Sequence, residues 1–160
     1  MTIRPIRELV DPVLRTPSDE VTAFDGWLAA LVRDLEETVD HPGRAGVAAP
    51  QIGVNVRAFS YNIDGVIGHM VNPRIVELSE ETQDGDEGCL SVPGIWAPTV
   101  RAMRCVAEGF DVDGKPLRIE GEGLMARCLQ HEVEHLDGTV FLDRLTGDAR
   151  KSALRALRDR

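Results

Sequence analysis

The sequence predicts an α+β fold in which mixed or antiparallel strands pack around one central helix bearing a metal site. Three observations predict it. His131, Glu132, Val133, Glu134 and His135 spell H-E-x-x-H directly after a stretch rich in helix formers. Positions i and i+4 lie on one helix face, so His131 and His135 can converge on one ion with Glu132 beside it as a general base. Short strand-like runs separated by turn signals fill much of the span from residue 55 to residue 120, and an apolar repeat of helical period precedes them.

Taken in order, residues 3–20 read as an extended arm, because Pro5, Pro12 and Pro17 resist helix. Phe24, Trp27, Leu28, Leu31 and Leu35 recur at helical spacing and predict an amphipathic helix to about Asp40, ended by His41, Pro42 and Gly43. Residues 45–51 are small and predict a loop where a backbone can come close to a ligand. Strand-like runs follow to Leu78, broken at Asp64-Gly65 and Asn72-Pro73. A second strand region spans residues 100–112, and Asp113-Gly114 signals a hairpin into residues 117–120. The motif helix runs from about Glu122 to Leu136, with Gly138 placed to end it. A last helix is predicted over residues 146–158, with alanine and leucine on one side.

The chain's 160 residues suffice for one catalytic domain with its own core. No apolar run approaches membrane-spanning length, the N-terminus lacks a signal-peptide core, and three cysteines do not suggest a secreted disulfide framework. A cytoplasmic protein with no membrane partner is expected. A net charge of −9 argues against broad nonspecific nucleic-acid binding, and no specific DNA binding is expected. The charge is uneven, however. Glu77, Glu80, Glu81, Asp84, Asp86 and Glu87 crowd one stretch, whereas Arg144, Arg150, Lys151, Arg155, Arg158 and Arg160 make the C-terminal segment basic.

A catalytic ion needs a third protein ligand and one open position. Cys89 supplies a thiolate from the stretch Glu87, Gly88, Cys89, Leu90 and Ser91, between a glycine and turn-prone residues. Cys128 is its rival, three residues before His131, but its geometry would strain a site shared with both histidines. Asp137, Asp143 and Asp148 stand at no diagnostic spacing, and Cys105 lies in a strand-like run as a core residue.

Three separated stretches together resemble the peptide deformylase family. The family's G-x-G-x-A-A-x-Q appears as Arg44, Ala45, Gly46, Val47, Ala48, Ala49, Pro50 and Gln51; its E-G-C-L-S is intact at residues 87–91; and its Q-H-E-x-D-H appears at residues 130–135 with Glu134 in the aspartate position. The likeness runs from about Pro12 to Leu145 and implies a peptide deformylase-like fold. It also implies a metal-dependent hydrolase that removes the formyl group from the formyl-methionine of nascent polypeptides. Cys89, His131 and His135 would be the ligands, Glu132 the base and then acid, and the Gln51 amide with the Leu90 N–H the oxyanion donors. The peptide would add like a strand near Ala45, Gly46 and Gly88, with its methionine in a pocket including Leu124, Cys128 and the stem of Arg127.

The resemblance further implies ferrous iron, with zinc, nickel or cobalt able to substitute, and a structural pair of Glu87 with Arg101. The basic C-terminal segment suggests a ribosomal partner. Two departures stand out. Arg44 replaces a glycine and would be strained if that position required positive φ; otherwise its guanidinium would reach solvent or the acidic stretch. Glu134 adds a methylene outside the ligand shell, where a small effect is expected. Hydrolysis of another amide on the same fold, for which Arg44 is the best feature, and a metal-binding paralogue without activity are the competing readings.

Overall fold

The computed structural model describes residues 3–159, so Arg160 of the basic segment lies outside the described residues. Helix α1 (Gly26–Val39) starts because the Asp25 carboxylate accepts the Leu28 N–H at 3.1 Å, a cap worth about 1 kcal/mol. The helix buries Leu28, Leu31, Val32, Leu35 and Val39. Phe24 precedes it and packs edge-on against Phe110, while Trp27 is exposed, so the buried stripe begins at Leu28. The capping aspartate, not the aromatic pair, sets the start.

Five strands form one antiparallel sheet: β1 (Gly46–Ala48), β2 (Ala58–Ile63), β3 (Val66–Leu78), β6 (Arg104–Phe110) and β7 (Pro116–Glu122), in spatial order β1-β2-β3-β6-β7. A second sheet pairs β4 (Thr82–Cys89) with β5 (Val92–Ala102). The stretch expected as a small-residue loop therefore contains β1, a three-residue edge strand followed by a 3₁₀ turn at Ala49–Ile52. Asn72-Pro73 does not break β3. Asn72 takes φ +49° at a register shift, and its side chain bonds both polar groups of the Val21 backbone, pinning the N-terminal arm. The strand expected over residues 100–112 splits at Met103 between the two sheets, and the last part of the acidic stretch, with Asp84, Asp86 and Glu87, is itself in a strand, β4. Within the arm, Pro12–Arg15 forms a 3₁₀ turn capped by Asp11, which proline tolerates at a first helical position.

The main sheet is covered on both faces. Along β2, Ala58 and Ser60 face α1, the Ser60 hydroxyl donating to the Leu35 carbonyl, whereas Phe59 and Tyr61 face helix α2 (Leu124–Leu136). Ala126, Leu129, Val133 and Leu136 of α2 pack on Phe59, Met70 and Ala107. Leu129 and Leu136 are wholly buried, worth about 1.5–3 kcal/mol each. Gly138 ends α2 at φ +81°, where a Cβ would come within 3.0 Å of the Arg15 carbonyl. The opposite face of α2 meets the second sheet. Behind β5, Val92, Ile95 and Ala97 pack against Phe141, Leu142 and Leu145 and against Ala153 of helix α3 (Gly147–Arg158). No helix among the described residues is long and apolar enough to cross a membrane.

Candidate active site

Two free strand edges face each other across a cleft of about 320 Å³. One belongs to β1, which ends the main sheet, and the other to β4, whose single partner is β5. The floor is the face of α2 that carries His131 and Glu132. Ala45, Gly46, Gln51, Gly88, Cys89, Leu90, Leu124 and Arg127 line the walls, so ten of the twelve residues expected at the site border one cavity. His135 lies beneath the lining, one turn along α2. Cys128 does not line the cleft; it is buried, and its thiol points at the Ala45 carbonyl at 3.5 Å. Leu124 is exposed at the cleft mouth rather than in the core.

Cys89 ends β4, and the turn at Leu90 and Ser91 returns the chain to Val92. Its Sγ stands 3.2 Å from His135 Nε2, which is 3.1 Å from His131 Nε2. Three donor atoms thus converge, all within 4.8 Å of one another. With bonds of about 2.1 Å to nitrogen and 2.3 Å to sulfur, a tetrahedral ion needs edges of about 3.4 and 3.6 Å. The two edges that meet at His135 Nε2 come within a few tenths of an ångström of these values, and thiolate with two imidazoles is a suitable donor set for a divalent transition metal.

The ring of His131 is held from behind. Glu87 Oε2 accepts from His131 Nδ1 at 2.7 Å, which leaves the Nε2 lone pair aimed at the cluster. The ring of Phe141 stacks on the same imidazole at 6.1 Å between centroids. Glu87 is in turn gripped by Arg101, through contacts of 3.0 and 2.6 Å, and by Arg127 at 2.7 Å. The Glu87–Arg101 pair is therefore as expected, but its bond to His131 was not foreseen. Arg127 contributes to the wall while its guanidinium is committed to Glu87 and the Thr99 carbonyl. Burial opposes the charge on Glu87, yet the hydrogen bonds from His131 and Arg101 outweigh it and hold the carboxyl far below the usual carboxylate range.

Glu132 faces the cleft with Oε2 4.0 Å from His131 Nε2. Its Oε1 is buried and has no hydrogen-bond partner among the described residues, and burial raises its pKa although both imidazoles pull the other way. Such a group accepts a proton readily. Across the cavity Gln51 is fully oriented: its Oε1 accepts from the Ala48 N–H at 2.9 Å, and its Nε2 contacts Ser91 Oγ at 3.1 Å and Cys89 Sγ at 3.7 Å. The N-terminal arm braces both walls, Arg7 N–H donating to the Gln51 carbonyl and Leu9 N–H to that of Ser91.

Gly46 is needed for space. A Cβ there would lie 2.5 Å from Glu132 Oε2. Arg44 does not reach the acidic stretch: half-buried, it donates from Nη1 to the Thr38 carbonyl at 2.7 Å, capping the last turn of α1, and its φ is not positive. Glu134 does more than its position suggested, because it pairs with Arg101 Nη1 at 2.9 Å and closely with Arg144.

The chain matches the family model described as polypeptide deformylase over residues 3–151. A peptide deformylase of Acidothermus cellulolyticus is 56% identical over 159 residues, spanning 99% of this chain and 88% of that one. The protein named peptide deformylase 1 of Corynebacterium efficiens is 44% identical, over 99% and 96% of the two chains. Among solved structures, a peptide deformylase from Legionella pneumophila superposes with a TM-score of 0.91 at 40% identity, covering 99% of this chain and 95% of its own. The Ehrlichia chaffeensis peptide deformylase in complex with actinonin gives 0.89 at 37% identity, over 99% and 98%.

Proposed function

Since the chain belongs to the polypeptide deformylase family, we infer that it is a metallohydrolase that removes the N-formyl group from formyl-methionyl peptides, releasing formate. The observation that carries this reading is the convergence of Cys89, His131 and His135 beside the Glu132 carboxylate, whose Oε1 has no hydrogen-bond partner among the described residues, at the bottom of a cleft between two open strand edges. Cys89, His131 and His135 would hold the ion. When bound, a divalent metal supplies a water acidified towards neutrality and polarises the formyl oxygen.

The protein's own groups do the rest. Glu132 takes the proton of the attacking water and later delivers it to the departing amine. The Gln51 Nε2 amide and the Leu90 N–H donate to the oxyanion that forms at the formyl carbon. The Gln51 donor is preset by Ala48 and Ser91, so little reorganisation is left for the reaction itself. Glu87 keeps the His131 tautomer fixed. The peptide backbone lies as a strand between the edges at Ala45, Gly46 and Gly88, which gives affinity without reading sequence. The methionine side chain occupies the apolar part of the cleft near Leu124 and the Arg127 stem. Cys128 shapes that part from behind, through Ala45.

Ferrous iron is the metal we assign, with zinc, nickel and cobalt as functional substitutes for the same donors. The protein works as one catalytic domain in the cytoplasm, where nascent chains emerge, and the exposed basic residues of α3, Arg150, Lys151, Arg155 and Arg158, provide a tether to ribosomal RNA. Cleavage of a different amide loses its chief support, since Arg44 is absorbed by the α1 terminus. The direct test is turnover of formyl-Met-Ala-Ser by anaerobically prepared, iron- or nickel-loaded protein, with Glu132→Ala beside it at equal metal content. Turnover that falls by at least about a thousandfold in the variant supports reaction and base together. A fully metallated wild type that releases no formate rejects the reading.

A further inference from the structure

The cleft has an outer lip that the deformylation chemistry does not use. In β4, Glu87 and Cys89 point inward to the arginine pair and the metal ligands, so Asp84, Asp86 and Gly88 belong to the opposite face. Across the hairpin they pair with Val100, Pro98 and Trp96. Trp96 is 68% exposed, and its indole leans over Gly88, where a Cβ would meet ring carbons at 2.8 Å. Asp86 and Trp96 both border the cleft, and neither the carboxylate of Asp86 nor that of Asp84 has an ion-pair or hydrogen-bond partner among the described residues. The nearby Arg127 guanidinium is on the inner face and already engaged by Glu87 and Thr99. The lip thus joins an exposed aromatic face to a free carboxylate.

A peptide laid along β4 presents its side chains alternately. With methionine directed inward to the cleft floor, the next residue is directed outward, to the face of Trp96 and Asp86. We propose that these two residues form a subsite for the residue that follows formyl-methionine, and that it selects lysine or arginine there. The indole supplies a cation–π platform for the charged head, and its edge covers the aliphatic stem. Asp86 supplies the counter-charge, strengthened by Asp84 two residues along the same face. An acidic residue at that place meets the same carboxylates as repulsion. The main-chain pairing would make the enzyme general, while this lip grades its substrates.

The proposal rests on the deformylase reading, and the test separates the two. Metal-loaded protein is assayed with formyl-Met-Ala-Ser, formyl-Met-Lys-Ser and formyl-Met-Glu-Ser, in wild type, Asp86→Asn and Trp96→Leu. Both substitutions fall on exposed positions and leave the core untouched. The expected lysine-to-glutamate ratio of kcat/KM in the wild type is about tenfold at low ionic strength, expressed chiefly in KM and shrinking with added salt. It falls to within about threefold in Asp86→Asn, and Trp96→Leu lowers the lysine-to-alanine ratio by about threefold. A wild-type ratio near one with brisk turnover of the alanine peptide overturns the subsite and leaves deformylation standing. So does a tenfold ratio that Asp86→Asn leaves unchanged. Failure to hydrolyse any of the three peptides overturns the activity and the subsite with it.

Discussion

Gly46→Ala should damage catalysis through one contact. The added Cβ would sit 2.5 Å from Glu132 Oε2 and 2.8 Å from Cδ, where an ordinary contact begins at 3.4 Å. Either β1 gives way, which its pairing with β2 at Tyr61, Ser60 and Phe59 resists, or the carboxylate retreats by about 0.9 Å. The second course is the cheaper, because the contact is with the far end of a flexible side chain. A displacement of about 1 Å in a catalytic group costs about a hundredfold in rate. The expected variant is therefore folded and metal-replete, with kcat for formyl-Met-Ala-Ser down about a hundredfold.

Gly46 also lies on the edge that receives the peptide, so a weaker enzyme alone would not identify the cause. Glu132→Asp withdraws the carboxylate by one methylene and removes the contacts with Oε2 and Cδ, leaving only the milder one with Cγ at 3.0 Å. In that background, Gly46→Ala should cost no more than about threefold, which makes the two changes strongly non-additive. The assay is single-turnover deformylation at matched metal content, with saturating peptide. A loss of equal size in both backgrounds would show that the methyl group acts on the substrate strand, and the reasoning through Glu132 would be refuted.

Other perturbations follow from the same geometry. Glu87→Gln leaves the buried Arg101 with a single acidic partner and should cost about 3 kcal/mol at pH 7, read by denaturant unfolding. The sign with pH is fixed by the depressed Glu87 pKa: its stabilisation is full above the unfolded value of about 4.3 and is lost as pH falls through the lower folded value, so the gap between wild type and variant should narrow below about pH 4; a constant gap contradicts the assignment. In metal-stripped protein at pH 7, iodoacetamide should label Cys89, whose thiolate the two imidazoles favour despite its burial, and spare Cys105 and Cys128, whose thiols burial pushes up, Cys105 to about 11. Peptide mapping that finds Cys128 modified first would reverse that order. Lys151→Glu with Arg155→Glu keeps Ala153 packed and should weaken ribosome co-sedimentation at low salt, whereas unchanged binding removes α3 as the tether.

Elements with a strong local signal were legible in the chain. The H-E-x-x-H helix, the hairpin at Asp113-Gly114 and the basic final helix all stand close to where period and turn chemistry put them. What was hidden depended on distant partners. The segment at residues 82–89, with three acidic residues and two glycines, has poor strand propensity, yet it is held extended by pairing with β5 along its whole length. Three residues of β1 carry no readable alternation, and they become a strand because β2 offers its edge. Trp27 was misplaced because spacing records an apolar residue without recording whether anything covers it; here it lies one residue inside the N-terminus of α1, directed to solvent.

The site divides in the same way, and the division says where its tuning resides. The residues proposed as ligands and base, Cys89, His131, His135 and Glu132, could be named from residue type and spacing because ligand and base chemistry allow few substitutes, whereas Gln51 could be named only through the family resemblance. Residues that act by holding others were only partly legible: the resemblance implied the Glu87–Arg101 pair but not its links to His131, Glu134 and Arg144. Nothing in the spacing of Glu87, Arg101, Glu134 and Arg144 shows that they form one chain of charges running from the back of His131, where it is buried, out to the exposed Arg144. Removing one member leaves a charged neighbour with one partner fewer, so the chain is costly to break and helps to hold β4 against α2. That packing places Cys89 on β4 against the histidines on α2. The longer Glu134 therefore belongs to the metal site at one remove, through Arg101 and Glu87, although it touches no ligand.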